Sequence, residues 1–302
     1  MLMSERVTNM EKQKQRIVID TIWIFIIFLI IIIYQDLPLN LFHIPYHEWP
    51  DIAIFGYCLF YDTLILLLIL LGFKKGKEEF LRGMSVFLFY LLASTYQYLP
   101  LDLCQIDYTK WPTEALLSYS LIYELSMILL IIWCYFKEIK VQFLNFIGHF
   151  KDYLKEYIKY WFIALGLMMI SNLIIKPFTS DIAKNEVQVR FLIKALPIYT
   201  FIVSVIFAPL IEELIFRFSI RKISCYTKYF FIFLSGIVFG FMHVIGNATV
   251  WTDWLFLIPY SVPGWVFAYT LFKSDNIFVP ISLHTIHNGI LVTLQIITFF
   301  AI

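Results

Sequence analysis

The chain has 302 residues, 61% of them hydrophobic and 19% aromatic, with a mean hydropathy of +0.79. That is far more apolar than a soluble domain of this length, and a formal net charge of +1 without a basic stripe excludes a nucleic-acid partner. Cys58, Cys104, Cys134 and Cys225 are scattered without CxxC spacing, so neither a disulfide framework nor a thiolate metal site is indicated.

The apolar excess falls in separate runs close to the ~20 residues that cross a bilayer, and no alternating barrel segments are present. The fold class expected is therefore all-α, a polytopic membrane helical bundle of about eight to nine transmembrane helices. A polar start with Arg6, Lys12, Lys14 and Arg16 precedes the first run, 17–34, which is read as a retained span because no small-residue cleavage pattern follows it. Further spans are expected at 52–73, 82–99, 115–136 and 157–175, then at 191–220, broken at Pro209, and at 229–244, 254–272 and 278–302.

Lys74, Lys75, Lys77 and Arg82 follow the second span, Lys137, Lys140, Lys151, Lys155 and Lys159 the fourth, and Arg217, Arg221, Lys222 and Lys228 the sixth. These loops are assigned to the cytoplasm, with the N-terminus inside; the Ile-, Phe- and Lys-rich composition fits an AT-rich genome, and the membrane expected is a bacterial plasma membrane. Lys176, Lys184 and Arg190 depart from the pattern. The basic, amphipathic connection 137–159 reads either as a segment on the membrane surface or as a solvated loop. It separates an N-terminal transmembrane region, 1–156, from a second region, 157–302.

Ionisable residues inside spans are costly and mark candidate sites. Asp20 lies near a helix end. Asp62 and Glu124 sit mid-span, where they pair with a polar neighbour or line a cleft. The C-terminal half holds three i,i+4 pairs on three spans: Glu213 with Arg217, Phe239 with His243, and His284 with Asn288. Counting ~1.5 Å per residue from the cytoplasmic ends puts Glu212 about 14 Å deep, His243 about 22 Å, and His284 and Asn288 about 12 and 18 Å, a shared band. Glu213 and Arg217 lie about 40° apart around the helix and should pair, whereas Glu212 is about 140° from Arg217. Glu212 is then free to act as a general base for water, with a neutral His243 orienting that water, while His284 and Asn288 offer donors to an oxyanion. One glutamate and two histidines could instead hold zinc, although HExxH is absent.

EELIFR, FGFMH and HTIHN match, in order, the EExxxR, FxxxH and HxxxN signatures of the CPBP family, the CAAX protease and bacteriocin-processing enzymes also called Abi, and the chain resembles that family over 157–302. The resemblance implies an intramembrane endopeptidase with Glu212 and His243 activating water and His284 and Asn288 forming the oxyanion hole, supported by Glu213, Arg217 and Phe239, without a cofactor. It implies a membrane-associated peptide or lipidated protein as substrate, in prenyl-protein maturation or in bacterial peptide processing, bacteriocin self-immunity or quorum-sensing control. Phe218 stands where family members often have a small residue, and His287 is additional. The first four spans match no motif and are a candidate surface for a membrane protein partner. Two other readings use the same residues: a non-catalytic scaffold regulating a partner, and a transporter with a Pro-interrupted span.

Overall fold

The computed structural model describes residues 49–72, 77–179, 182–224, 227–245 and 247–300, without the side chains of residues 51, 62, 64–72 and 77. The expected first span, Asp20 and the Asp62 side chain lie outside the described residues. All regular structure among the described residues is helical. The chain divides into two compact units, 1–123 with 222–227, and 124–221 with 228–302.

The first unit contains α1 (Asp51–Gly72), α2 (Lys77–Thr95), the short α3 (Leu99–Leu103) and the start of α4 (Thr113–Cys134). Tyr119 and Tyr123 on α4 donate their hydroxyls to the carbonyls of Gln97 and Ala93, at 2.6 and 2.9 Å, tying α4 to the end of α2. Glu124, the next residue of α4, is half-buried.

The second unit continues with α5 (Phe136–Gly148), α6 (Phe150–Ile175), α7 (Lys184–Ala195), the composite helix α8 (Pro197–Ile223) and α9 (Lys228–Val244). A 3-10 turn (Trp251–Phe256), α10 (Leu257–Ser274) and α11 (Phe278–Phe300) complete it. Among the described residues five helices are long and apolar enough to cross a bilayer: Thr113–Cys134, Phe150–Phe178, Pro197–Ile223, Trp251–Ser274 and Phe278–Phe300. The protein is an integral membrane helical bundle. The basic connection 137–159 is helical, with a break at His149, and α5 exposes Val141, Leu144 and Ile147 beside Lys137 and Lys140. The Gln142 side chain accepts the Ile277 N–H at 2.7 Å, satisfying a donor that the start of α11 leaves open.

The expected span 191–220 is placed differently. The chain turns at Leu196 (φ −145°, ψ 65°), because the residue before Pro197 is sterically pushed out of the helical region. Lys184 and Arg190, which broke the charge pattern, thus belong to a separate amphipathic helix, α7. At Pro209, where a break was expected, α8 runs on. The helix is widened to π geometry over Ile202–Phe207 and again over Leu214–Ser219, so that Ala208 N–H bonds to Val203 O, five residues back. The extra residue per turn gives the proline ring room that α geometry denies it.

Small residues bring α9 and α10 together. A Cβ on Gly240 would lie 2.3 Å from Ser261 Oγ and 2.8 Å from Leu257 O, and one on Gly264 would lie 2.7 Å from Gly236 Cα. Such contact replaces the hydrophobic drive that lipid does not supply. Phe267, further along α10, packs with Tyr157, Trp161 and Ala164 of α6 and Leu283 of α11 in one core.

Candidate active site

Glu212 and Glu213 lie between the two π stretches of α8, so consecutive carboxylates reach one cluster from neighbouring angles. Glu213 and Arg217 are both fully buried, with Nε 3.0 Å from Oε2, the pairing that helical rotation predicts. Their geometry is misaligned for a hydrogen bond, so the attraction is chiefly ionic. The guanidinium lies instead on the Phe239 ring, 4.2 Å from its centroid, with Phe267 at 5.8 Å. The aromatic residue of FGFMH thus covers the buried cation while its carbonyl accepts His243 Nδ1–H at 2.8 Å.

That bond fixes the His243 tautomer and leaves Nε2 facing Glu212 Oε1 at 4.0 Å. His284, from α11, bonds through Nδ1 to Glu213 Oε1 at 2.8 Å and turns Nε2 toward Glu212 Oε2, 3.7 Å away. Among the described residues Glu212 Oε2 is buried with no hydrogen-bond partner. Three helices therefore bring Glu212, His243 and His284 together around one unsatisfied carboxylate oxygen, as the shared band of depths predicts. The separations of 3.7 and 4.0 Å leave the carboxylate between two imidazole nitrogens without direct hydrogen bonds to either.

Asn288 lies one turn beyond His284, but its amide donates to Ser204 O at 2.8 Å. The reason is in α8. In the π register the next donor to Ser204 O after the bond from Ala208 to Val203 would be residue 209, and proline has no N–H. Asn288 fills the vacancy that Pro209 creates, and a second amide hydrogen remains.

Other residues escape a sequence reading. Tyr260 of α10 stacks on His243, with centroids 4.9 Å apart and planes 26° off parallel, and it lines the same small cavity as Asn185 of α7. These contacts join residues far apart in sequence and leave no periodic signal. A cavity of about 10 Å³, lined by His243, Tyr260, Lys184, Asn185, Asn247 and Asp253, adjoins the cluster. His287 is buried and its Nδ1 has no partner among the described residues. Phe218 is buried edge-on against Tyr135, whose hydroxyl meets Ser219 Oγ at 2.9 Å, so the bulky residue is accommodated locally. Among the described residues no group of three or more His, Cys, Asp or Glu side chains is placed as a metal-holding set.

Residues 194–290 match the family described as Rce1-like, Type II CAAX prenyl endopeptidase Rce1-like. The matched segment holds every motif residue, so the chain is similar to that family over these residues. The chain is also 32% identical over 117 residues to the Bacillus subtilis (strain 168) protein named "Putative membrane peptidase YdiL", a match over 38% of this chain and 44% of that protein. The chain thus spans less than half the length of that relative. No solved structure matches it.

Proposed function

We propose that the protein is an intramembrane endopeptidase that hydrolyses a membrane-associated peptide or lipidated protein with water activated by Glu212. The carrying observation is the Glu212 carboxylate set between His243 Nε2 and His284 Nε2 while Glu213 is already occupied by Arg217 and His284. The Rce1-like match over these motifs supports the reaction class.

In this reading a water between Glu212 and His243 gives a proton to the carboxylate as its oxygen bonds to the peptide carbonyl carbon. The carbonyl π electrons move to oxygen, and His284 Nε2–H and the second Asn288 amide hydrogen stabilise that oxyanion. For Nε2 to donate while Nδ1 remains on Glu213, the His284 ring carries both protons; its charge and that of Arg217 then offset the two glutamates. Collapse expels the amine, which takes the proton from Glu212, leaving a carboxylic acid and an amine. No step requires a metal.

The catalytic core proposed is 157–302, in a bacterial plasma membrane with the N-terminus cytoplasmic. Peptide processing, bacteriocin self-immunity or quorum-sensing control is the biological setting, with the N-terminal helices available to a membrane protein partner. The test compares membrane peptides from cells carrying the native protein and Glu212→Gln. An uncut precursor should accumulate only with the variant, inserted at equal level, and cleavage by purified native protein should persist after treatment with a strong chelator. Identical peptide profiles would favour a scaffold, and loss of cleavage in chelator restored by zinc would overturn the metal-free mechanism.

A further inference from the structure

His243 is the penultimate residue of α9, where helical constraint on a side chain is weakest. Its ring nevertheless packs against two aromatic rings. Phe239 lies 4.4 Å away at 45°, and Tyr260 lies 4.9 Å away at 26°. The bond from Nδ1 to Phe239 O fixes one edge, and Tyr260 comes from outside α9 to stack on the ring. Tyr260 shares a cavity lining with Asn185 of α7, and α7 is tied to the segment between α9 and α10 by Lys184–Asp253, at 3.0 Å, and Gln188–Asn247, at 3.1 Å.

We propose that Tyr260 is a positioning residue: its ring holds the His243 imidazole at the angle that aims Nε2 at Glu212. The catalytic consequence rests on the proposed water activation by Glu212 and His243, whereas the positioning itself can be observed without a substrate. Stacking confines the ring to one plane, and ring rotation would break the bond from Nδ1 to Phe239 O. Without Tyr260 the imidazole can rotate and exchange tautomers, so its lone pair no longer points steadily at the carboxylate.

The experiment uses the full chain in detergent micelles with ¹⁵N-labelled histidine. The six histidines are few enough to resolve, and His243 is assigned by the signal lost in His243→Gln. In the native protein His243 should show a single Nδ1–H tautomer. Tyr260→Phe should preserve it, because the stacked ring remains. In Tyr260→Ala and Tyr260→Leu the two nitrogen signals should converge toward a tautomer average, while His284, anchored by Glu213, keeps its native signals. An unchanged His243 in either variant that retains the His284 signals overturns the proposal. Loss of the His284 signals in both variants also overturns it, since Tyr260 would then be a general packing residue. With the accumulating precursor as substrate, Tyr260→Ala should lower kcat about tenfold or more at little-changed KM, and Tyr260→Phe should stay within about twofold. A normal peptide profile in Glu212→Gln combined with a freed His243 ring in Tyr260→Ala would remove the peptidase reading and leave the positioning role standing.

Discussion

At the scale of single residues, the two glutamates of EELIFR have opposite fates. Glu213 is fully buried with Arg217 and with the ring of His284, so removing the cation leaves a carboxylate in a site closed to water. Breaking a buried pair from one side costs about 3–5 kcal/mol, more than removing both partners. Arg217→Leu should therefore lower the thermal midpoint in detergent strongly, and Glu213→Gln/Arg217→Leu should recover part of the loss without restoring peptide cleavage, because His284 then lacks its charged acceptor. Additive midpoint losses in the double variant would contradict the ionic account. This pair was legible in advance, since residues four apart on a helix share a face whatever surrounds them. Tyr260 was not, because its position beside His243 depends on how α9 and α10 cross, and that is set by Gly236, Gly240 and Gly264 rather than by any pattern around Tyr260.

At the scale of elements, the widened α8 determines what the site can contain. A proline in an apolar helix predicts a break, and that expectation failed at Pro209 because it assumes α geometry, whereas two π stretches flank this segment. The real break came at Pro197, where a preceding amphipathic helix needed to turn. Pro209→Ala would supply an N–H in register with Ser204 O, the carbonyl that Asn288 now satisfies. Thermal stability should hold or rise while cleavage falls severalfold, as the Asn288 amide loses its fixed partner; unchanged cleavage would remove Asn288 and Pro209 from the site's construction. Helix contact gives a second test. On Gly240 a methyl group meets Ser261 Oγ at 2.3 Å and the Leu257 carbonyl at 2.8 Å, and the backbone atom cannot rotate aside. Gly240→Ala should cost about 1–3 kcal/mol through overpacking and shift His243, three residues on, with loss of activity. Gly166→Ala on α6, where nothing lies within 4 Å of the added atom, should be neutral or stabilising by about 0.5–1 kcal/mol.

At the scale of the molecule, charge and polar contacts sort to opposite ends of the second unit. One end gathers Lys273 with Glu156 at 3.0 Å, Arg221 with Asp275 at 2.7 Å, and the contact of α5 with the start of α11 through Gln142. The other gathers Lys184 with Asp253, Gln188 with Asn247, and Gln295 with Glu186. The sequence located the basic loops but not the packing of α5 beneath α11, which depends on side-chain hydrogen bonds between residues about 130 positions apart. An excess of lysine and arginine at one end retains that end in the cytoplasm during insertion. In a variant lacking the four native cysteines, Lys140→Cys should be shielded from a membrane-impermeant maleimide in intact cells and become reactive on lysis, whereas Trp251→Cys, three-quarters exposed at the opposite end, should react in intact cells. The reverse pattern would invert the proposed orientation and place the cavity beside His243, lined by Lys184, Asn247 and Asp253, on the cytoplasmic side.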